Sequence, residues 1–505
     1  MKKHIIFIAT LLAMTLSSCS DWLDVRGENI EKEENQFSSY KGFVSALTGL
    51  YMTMGNNSIY GEQMTMTVVE ALGNQWYDFD QSKTNTKYLL THHDYESDGA
   101  KSVISSMYRC LFTTISTANV IIYNTEVNGG NIPVKADRDI IRGEALAVRA
   151  YCQFDVLRLF GQLPKGGKIQ VSLPYSYSHD ISTLPKYYTY SEYVENLKKD
   201  INEAEALLKD TDPAMDYSFD VLNSPSNNIF ADNSHYYRQS QMNYWAVRAL
   251  HARMLMYLGE TKEAHDIALS IINATLSNGR SIIDLSGISD FNSGYNALPS
   301  ECLFYLSKYD VNKYANDQLV GGRPNTQVSY YGYYLSEDML NALYESLPNA
   351  SASHNRYNNL WNTETMNNDG EKRPTLKKYW YDENNVNSSS LITKRQIVPM
   401  LRLSEMYLIA IEGSESLEEA QNLYNKYMSS CQFTLYEPFT SLADARAEIE
   451  NEYRREFIGE GQAFFMYKRL GKTKMYRNGV PTDIEEKEYI LPLPSSEYDP
   501  NATGK

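Results

Sequence analysis

Apolar residues along this chain recur mostly with a helical period. Ala147, Ala150, Tyr151, Phe154 and Leu157 stand at i, i+3, i+4, i+7 and i+10, and Leu403, Met406, Tyr407 and Ala410 follow the same spacing. Such spacing places one apolar stripe on a helix, to be buried against a neighbour. Further helices are predicted near 40–54, 101–124, 191–209, 241–258, 261–275, 415–429 and 442–470. Some pair across a short turn. In "RMLMYLGETKEAHDIALSII", Tyr257, Gly259, Ala264 and Ala268 fall where a tetratricopeptide repeat has its aromatic, its turn glycine and its small inter-helix contacts. "LIAIEGSESLEEAQNLYNKY" repeats the idea, with Gly413 in the turn and Ala420 on the second helix. The expected fold class is mainly α, a scaffold of tetratricopeptide-like helical hairpins.

Two polar stretches interrupt this pattern. Residues 210–240 and 276–400 are rich in Asn, Ser, Gly and Tyr, and the second holds short strand-like runs such as "ECLFYLSKY". Loops of this length are uncommon unless they are functional, and binding residues often sit on loops carried by a rigid frame.

The amino terminus has its own pattern. Lys2 and Lys3 precede an apolar run from Ile5 to Leu16, followed by small Ser17 and Ser18. This is the order of a secretory signal, and the run is short of the roughly 20 residues a membrane-spanning helix needs. Leu16-Ser17-Ser18-Cys19 looks like a bacterial lipobox. Residues 1–18 then form the signal peptide, and Cys19 is the lipidation site. Each buried acyl CH2 adds ~0.8 kcal/mol, so more than one chain gives a stable anchor. No later stretch is long and apolar enough to span a bilayer.

Removing residues 1–18 from the 505-residue chain takes away two lysines and no acids, so the formal charge moves from −16 to −18. That argues against a nucleic-acid or anionic-lipid surface. Cys110, Cys152, Cys302 and Cys431 are far apart with no CxxC, which reads as buried free thiols rather than a metal site or a disulfide framework, although a pairing of two of them stays open.

Chemistry-bearing motifs are few. His92-His93-Asp94 has adjacent histidines that point differently and no partner cluster, so no metal is assigned. Glu452, Glu456 and Glu460 are four apart on a predicted helix face. Their Cβ separation of about 5–6 Å would suit a glycosidase carboxylate pair. Arg454 and Arg455 lie between them, which favours a structural ion-pair network. No nucleophile-elbow, phosphate-loop or dinucleotide motif stands in a suitable context. No catalytic residue and no cofactor are assigned.

Aromatic residues change the picture more. There are 41 Tyr against 16 Phe. A flat ring covers the C–H face of a sugar while nearby Asn, Asp, Arg or Gln bonds its hydroxyl rim. "GNQWYDFD" places Trp76 and Tyr77 beside Asn74, Gln75, Asp78 and Asp80. "SYYGYY" clusters Tyr330, Tyr331, Tyr333 and Tyr334, and "RYNNLWN" sets Tyr357 and Trp361 among Arg356, Asn358 and Asn359. The candidate ligand-binding residues are Asn74, Trp76, Tyr77, Asp78, Tyr330, Tyr331, Tyr333, Arg356, Tyr357 and Trp361. The competing reading is that these rings fill a secondary core or seal a protein contact. Trp245 and Trp380 are assigned to the core, and Trp22 to packing near the anchor or to a partner.

Four stretches together resemble the SusD/RagB family of Bacteroidetes outer-membrane lipoproteins. They are "CSDWLDV", "RGEALAVRAYCQFDVLRLFGQLP", "PMLRLSEMYLIAIEG", and "RREFIGEGQAFFMYKRLGK" with the following "YILPLPSSEYDPN". The chain departs from the family at Gly459, where an aromatic is usual, and near Ala463 and Met466, where arginine and aspartate are usual. The resemblance implies one SusD-like domain over 19–505, with an N-terminal part of about 19–230 and a C-terminal part of about 240–505 carrying the 276–400 insertion. It also implies a binding protein rather than an enzyme, lipid-anchored in the outer membrane and facing the cell exterior. Such a protein captures oligosaccharides, or peptides in RagB-like members, for a SusC-like TonB-dependent transporter. A tetratricopeptide-type interaction scaffold is the second reading, and a surface glycoside hydrolase the least favoured.

Overall fold

Each long periodic segment forms a helix in the computed structural model, which describes residues 33–78, 83–180, 182–319, 332–367, 370–386, 391–434 and 437–497. The leader, Cys19, Trp22, Asp80, Tyr330 and Tyr331 lie outside the described residues. The principal helices are α1 (Tyr40–Met54), α2 (Val68–Leu72), α3 (Thr86–Thr91), α4 (Asp98–Val127), α5 (Lys135–Phe160), α6 (Tyr190–Leu208), α7 (Tyr244–Leu258), α8 (Thr261–Ile272), α9 (Leu403–Gly413), α10 (Leu417–Ser430), α11 (Leu442–Glu456) and α12 (Ala463–Arg469). They stack in chain order: α4 on α5, α5 on α6, α7 on α8, α8 on α9, α9 on α10. Each helix buries its stripe on the next, as helical-hairpin arrays do.

Small residues set the spacing. Ala145, Ala147 and Ala150 of α5 are all buried. A Cβ on Gly143 would come within 2.8 Å of Leu208 Cγ, so glycine lets α6 lie close. Gly259 closes α7 at φ +84°, the left-handed region where a side chain is strained. Ala264 and Ala268 of α8 are then fully buried. The charges buried along α5 are paired: Arg149 Nη2 lies 2.7 Å from Asp200 Oδ1, Asp155 meets Arg158, and Glu144 meets Arg238. Unpaired, each would carry a large desolvation penalty.

The 276–400 insertion is tied off at its neck. Strand β3 (Cys302–Ser307) runs antiparallel to β6 (Ile397–Arg402), with Cys302 opposite Arg402 and Ser307 opposite Ile397. Because β6 leads directly into α9, α8 and α9 stay stacked despite the chain between them. The other strands form two-residue to four-residue hairpins: β1 (Leu173–Tyr175) with β2 (Lys186–Tyr188), β4 (Trp361–Asn362) with β5 (Thr375–Leu376), and β7 (Lys474–Arg477) with β8 (Val480–Asp483).

The predicted helix over 442–470 is corrected to two helices, α11 and α12. Apolar periodicity persists across the break, but Gly459 (φ +80°) and Gly461 (φ +70°) leave the helical region. A Cβ on Gly461 would stand 2.0 Å from the Met64 carbonyl oxygen. At Gly459 it would meet Leu376, and Tyr379 Oη donates to the Gly459 carbonyl at 2.7 Å, so a larger side chain has no room there. The four described cysteines are free thiols; Cys110 is half-buried and the others are buried. No helix among the described residues is long and apolar enough to cross a membrane.

Candidate functional site

The segment after α2 leaves its helix through Asn74, at φ +55°, and the next residues turn back into the fold. Trp76 inserts into the core, where its Nε1 donates to the Met66 carbonyl at 2.9 Å. Tyr77 stays half-buried at the surface, and its backbone N–H donates to the Tyr334 carbonyl at 2.8 Å. The Tyr77 and Tyr334 rings stack at 6.1 Å and 25°. The second tyrosine-rich stretch is thereby joined to the first.

The third stretch arrives through its hairpin. Beyond strands β4 and β5 the hairpin stays paired through Thr365–Arg373 and a Met366–Lys372 bridge, and its returning arm carries Arg373, whose guanidinium carbon lies 4.6 Å from the Tyr77 ring centroid. Arg373 pairs with Glu371, while its buried Nε has no hydrogen-bond partner among the described residues. On the other flank, α3 presents Tyr88, with the His92 ring stacked on it at 3.9 Å and 23°. His92 Nε2 reaches Asp78 Oδ2 at 3.4 Å. Asp78 and Asn478 exchange hydrogen bonds: the Asp78 N–H donates to Asn478 Oδ1 at 2.8 Å, and Asn478 Nδ2 donates to the Asp78 carbonyl at 3.0 Å. Asn478 and Gly479 both have positive φ in the tight β7–β8 turn, a geometry Asn-Gly adopts at low cost.

Beneath the rings, Lys87 Nζ donates to the Gly332 carbonyl at 2.7 Å and lies 5.2 Å from the Tyr334 ring centroid. Burial pushes its ammonium down to about 8, against the pull of Asp78. The result is a patch of three half-buried rings, Tyr77, Tyr88 and His92, with half-buried Asn478 at its border and the buried Arg373 and Asp78 packed behind it. Such a patch can lie against an apolar face while its border bonds hydroxyls. No group of three or more His, Cys, Asp or Glu among the described residues is placed to hold a metal ion.

Several sequence candidates are corrected to core residues. Trp76 is 1% exposed, Trp361 3% and Arg356 1%, so none offers a face to a ligand. Asn74 and Asp78 are buried as well. Tyr333 packs edge-on to Trp76 and Tyr357 edge-on to Tyr344, both half-buried beside the core. Tyr330 and Tyr331 fall outside the described residues. Trp245 is buried as expected, and Trp380 is only partly covered. The sequence reading weighed His92 only as a metal ligand and missed Tyr88, Arg373, Lys87 and Asn478. The four-residue spacing of Tyr88 and His92 and the "RNGV" turn were the available signals.

Arg356 has another task. With Arg402 it holds the acids that the sequence had placed on one helix face. Arg402 Nη1 donates to Glu456 Oε1 at 2.6 Å and Nε to Glu460 Oε2 at 3.0 Å, and it also pairs with Glu301. Arg356 Nε donates to Glu456 Oε2 at 3.2 Å, and Lys378 Nζ to Glu460 Oε1 at 2.7 Å. Glu460 lies beyond the end of α11, not on the same face, and Arg454 lies over the Tyr476 ring, so the expected partners are replaced. Glu452 pairs with Arg455 at 2.6 Å, as expected. Burial raises the Glu456 carboxyl, but Arg356, Arg402 and Lys378 outweigh it and hold it well below the usual range. All three acids are closed off from a substrate.

Comparison with known proteins follows this geometry. Residues 21–224 match a family described as "Starch-binding associating with outer membrane", and residues 323–503 match the SusD family. SusD-like protein P25 of Formosa agariphila is 26% identical over 180 residues, 32% of this chain and 31% of that protein. SusD-like protein P2 of the same organism is 26% identical over 213 residues, 42% of this chain and 39% of that protein. The matched stretch thus spans between three and four tenths of those curated relatives. In three dimensions, a SusD superfamily protein of Bacteroides thetaiotaomicron matches with a TM-score of 0.67 at 22% identity, covering 92% of this chain and 98% of that one. A laminarin-binding SusD-like protein matches with a TM-score of 0.59 at 15% identity, covering 90% and 96%.

Proposed function

Because the chain belongs to the SusD/RagB family, we propose that it is a glycan-capturing lipoprotein of the outer membrane. The mature chain, 19–505, is anchored by lipid on Cys19, faces the cell exterior and passes oligosaccharides to a SusC-like TonB-dependent transporter. It binds without turning its ligand over. The observation that carries this reading is the patch of Tyr77, Tyr88 and His92, with Asn478 at its border and Arg373 and Asp78 packed behind it, on a frame shared with SusD superfamily proteins. The starch-binding description of the matched family and the laminarin-binding neighbour support the ligand class.

Affinity electrophoresis across polysaccharide gels, followed by calorimetry on the retarding glycan, tests it. The parent should be retarded by at least one neutral glycan and the Tyr77→Ala, Tyr88→Ala double variant clearly less. Capture of an outer-membrane barrel by a protein with no affinity for any glycan would favour the scaffold reading, and affinity for peptides alone the RagB-like one.

A further inference from the structure

Away from the Tyr77 patch, α1, the start of α5 and residues 233–241 enclose a cavity of ≈ 410 Å³. That is within the range of about 300–1,000 Å³ typical of small-ligand sites. We infer that this cavity is a second saccharide pocket, built for one or two neutral sugar rings; the inference rests on the carbohydrate-binding reading above.

One wall is apolar: Val44 and Leu47 from α1, Ile140 and Ile141 from α5. The facing rim is polar. Tyr40 Oη and Ser234 Oγ share a hydrogen bond of 2.8 Å, and His235 Nε2 lies 2.9 Å from Asp137 Oδ1. The Asp137 and His235 side chains are 12% and 23% exposed, so a ligand in the cavity can reach them. A C–H face on the aliphatic wall with hydroxyls toward this rim satisfies both surfaces at once.

The floor is closed by a buried network. Tyr51 Oη donates to Glu144 Oε2 at 2.6 Å and accepts the Met242 N–H at 2.7 Å. Glu144 and Asp212 share a single guanidinium, Arg238, and Asp137 stands near the mouth. Glu144 and Asp212 are buried and taken up by Arg238, so Asp137, paired with His235, is the carboxylate a ligand reaches; it disfavours an acidic sugar and can accept hydroxyl protons from a neutral one. Helices carry most of the wall, so the geometry is held before the ligand arrives.

Saturation-transfer NMR on the full mature protein tests this with neutral gluco-, manno- and galacto-oligosaccharides beside oligogalacturonates. The Tyr77→Ala, Tyr88→Ala double variant should keep residual transfer from a neutral saccharide. Adding Thr48→Trp, which drives bulk into the cavity from an exposed site on α1, should weaken that residual binding at least tenfold. Tyr40→Phe should weaken it with an unchanged melting temperature. Loss of all binding in the Tyr77→Ala, Tyr88→Ala double variant, or residual binding indifferent to Thr48→Trp, overturns the pocket and leaves glycan capture standing. Residual binding of oligogalacturonates equal to that of neutral sugars overturns the assigned class. A parent protein that binds no saccharide overturns both readings.

Discussion

Arg402 and Glu456 meet inside the protein, Nη1 2.6 Å from Oε1, with neither side chain more than 2% exposed. Arg402 stands at the start of α9 and Glu456 ends α11, so one ion pair joins two of the stretches on which the family resemblance rests. The neighbouring joint is similar: Glu405 receives Arg253 of α7 through two hydrogen bonds of 2.7 and 2.6 Å. The signature residues of this frame are largely the buried charges that lock helix to helix.

Glu456→Gln should lower stability by roughly 3–5 kcal/mol, because it strands Arg402 and Arg356 without their shared carboxylate. Urea unfolding at neutral pH measures it. The Glu456 carboxyl is held below its ordinary 4.5 in the folded state, so its contribution is full above that pH and is lost as the solution is acidified. An unchanged urea midpoint in the variant would contradict this account of the joint.

The rings divide into two classes with opposite expectations. Tyr77→Ala and Tyr88→Ala should each weaken glycan binding about tenfold, a loss near 1.4 kcal/mol, with circular dichroism and melting unchanged. Trp361→Ala should cost about 3–5 kcal/mol of stability, since its buried ring leaves a cavity among packed neighbours. Calorimetry and thermal melts on the same preparations separate the classes. A Trp361→Ala protein that melts like the parent and binds poorly would restore the sequence reading.

Glu70 predicts an opposite pH trend from Glu456. Burial pushes its carboxyl up to about 8; the Gly461 N–H donates to Oε1 at 2.7 Å, and Oε2 has no hydrogen-bond partner among the described residues. The native state therefore holds a proton that the unfolded chain releases near 4.5. Its contribution is full below that pH and declines as pH rises toward about 8. Melting temperatures at pH 5.5 and 8 should fall less for Glu70→Gln than for the parent. Parallel curves would show that Glu70 is ionised throughout.

Gly461→Ala should destabilise by more than about 1 kcal/mol, through a strained positive φ as well as contact. A Cβ there would stand 2.0 Å from the Met64 carbonyl oxygen, which is backbone and has little freedom to yield. Differential scanning calorimetry reads the change, and an equal or higher melting temperature would reject the left-handed turn.

The sequence by itself determined the helical frame. Apolar residues at i, i+3, i+4 and i+7 report burial on one face of a local element, and small residues at Ala264, Ala268 and Gly413 report where two elements touch. The break between α11 and α12 was not legible, because a glycine inside an amphipathic pattern leaves the pattern intact until its φ is known. Tertiary structure alone decided which rings face water. Trp76 and Tyr77 are neighbours of similar chemistry, and only packing against the Met66 and Tyr334 segments sends one inward and leaves the other half-open. Arg356 likewise reads as a polar loop residue until Glu456, distant in sequence, is brought against it. Local periodicity carries information about neighbours within a few residues. The partners of a loop side chain come from elsewhere in the chain, so their identity is fixed only when the chain has folded.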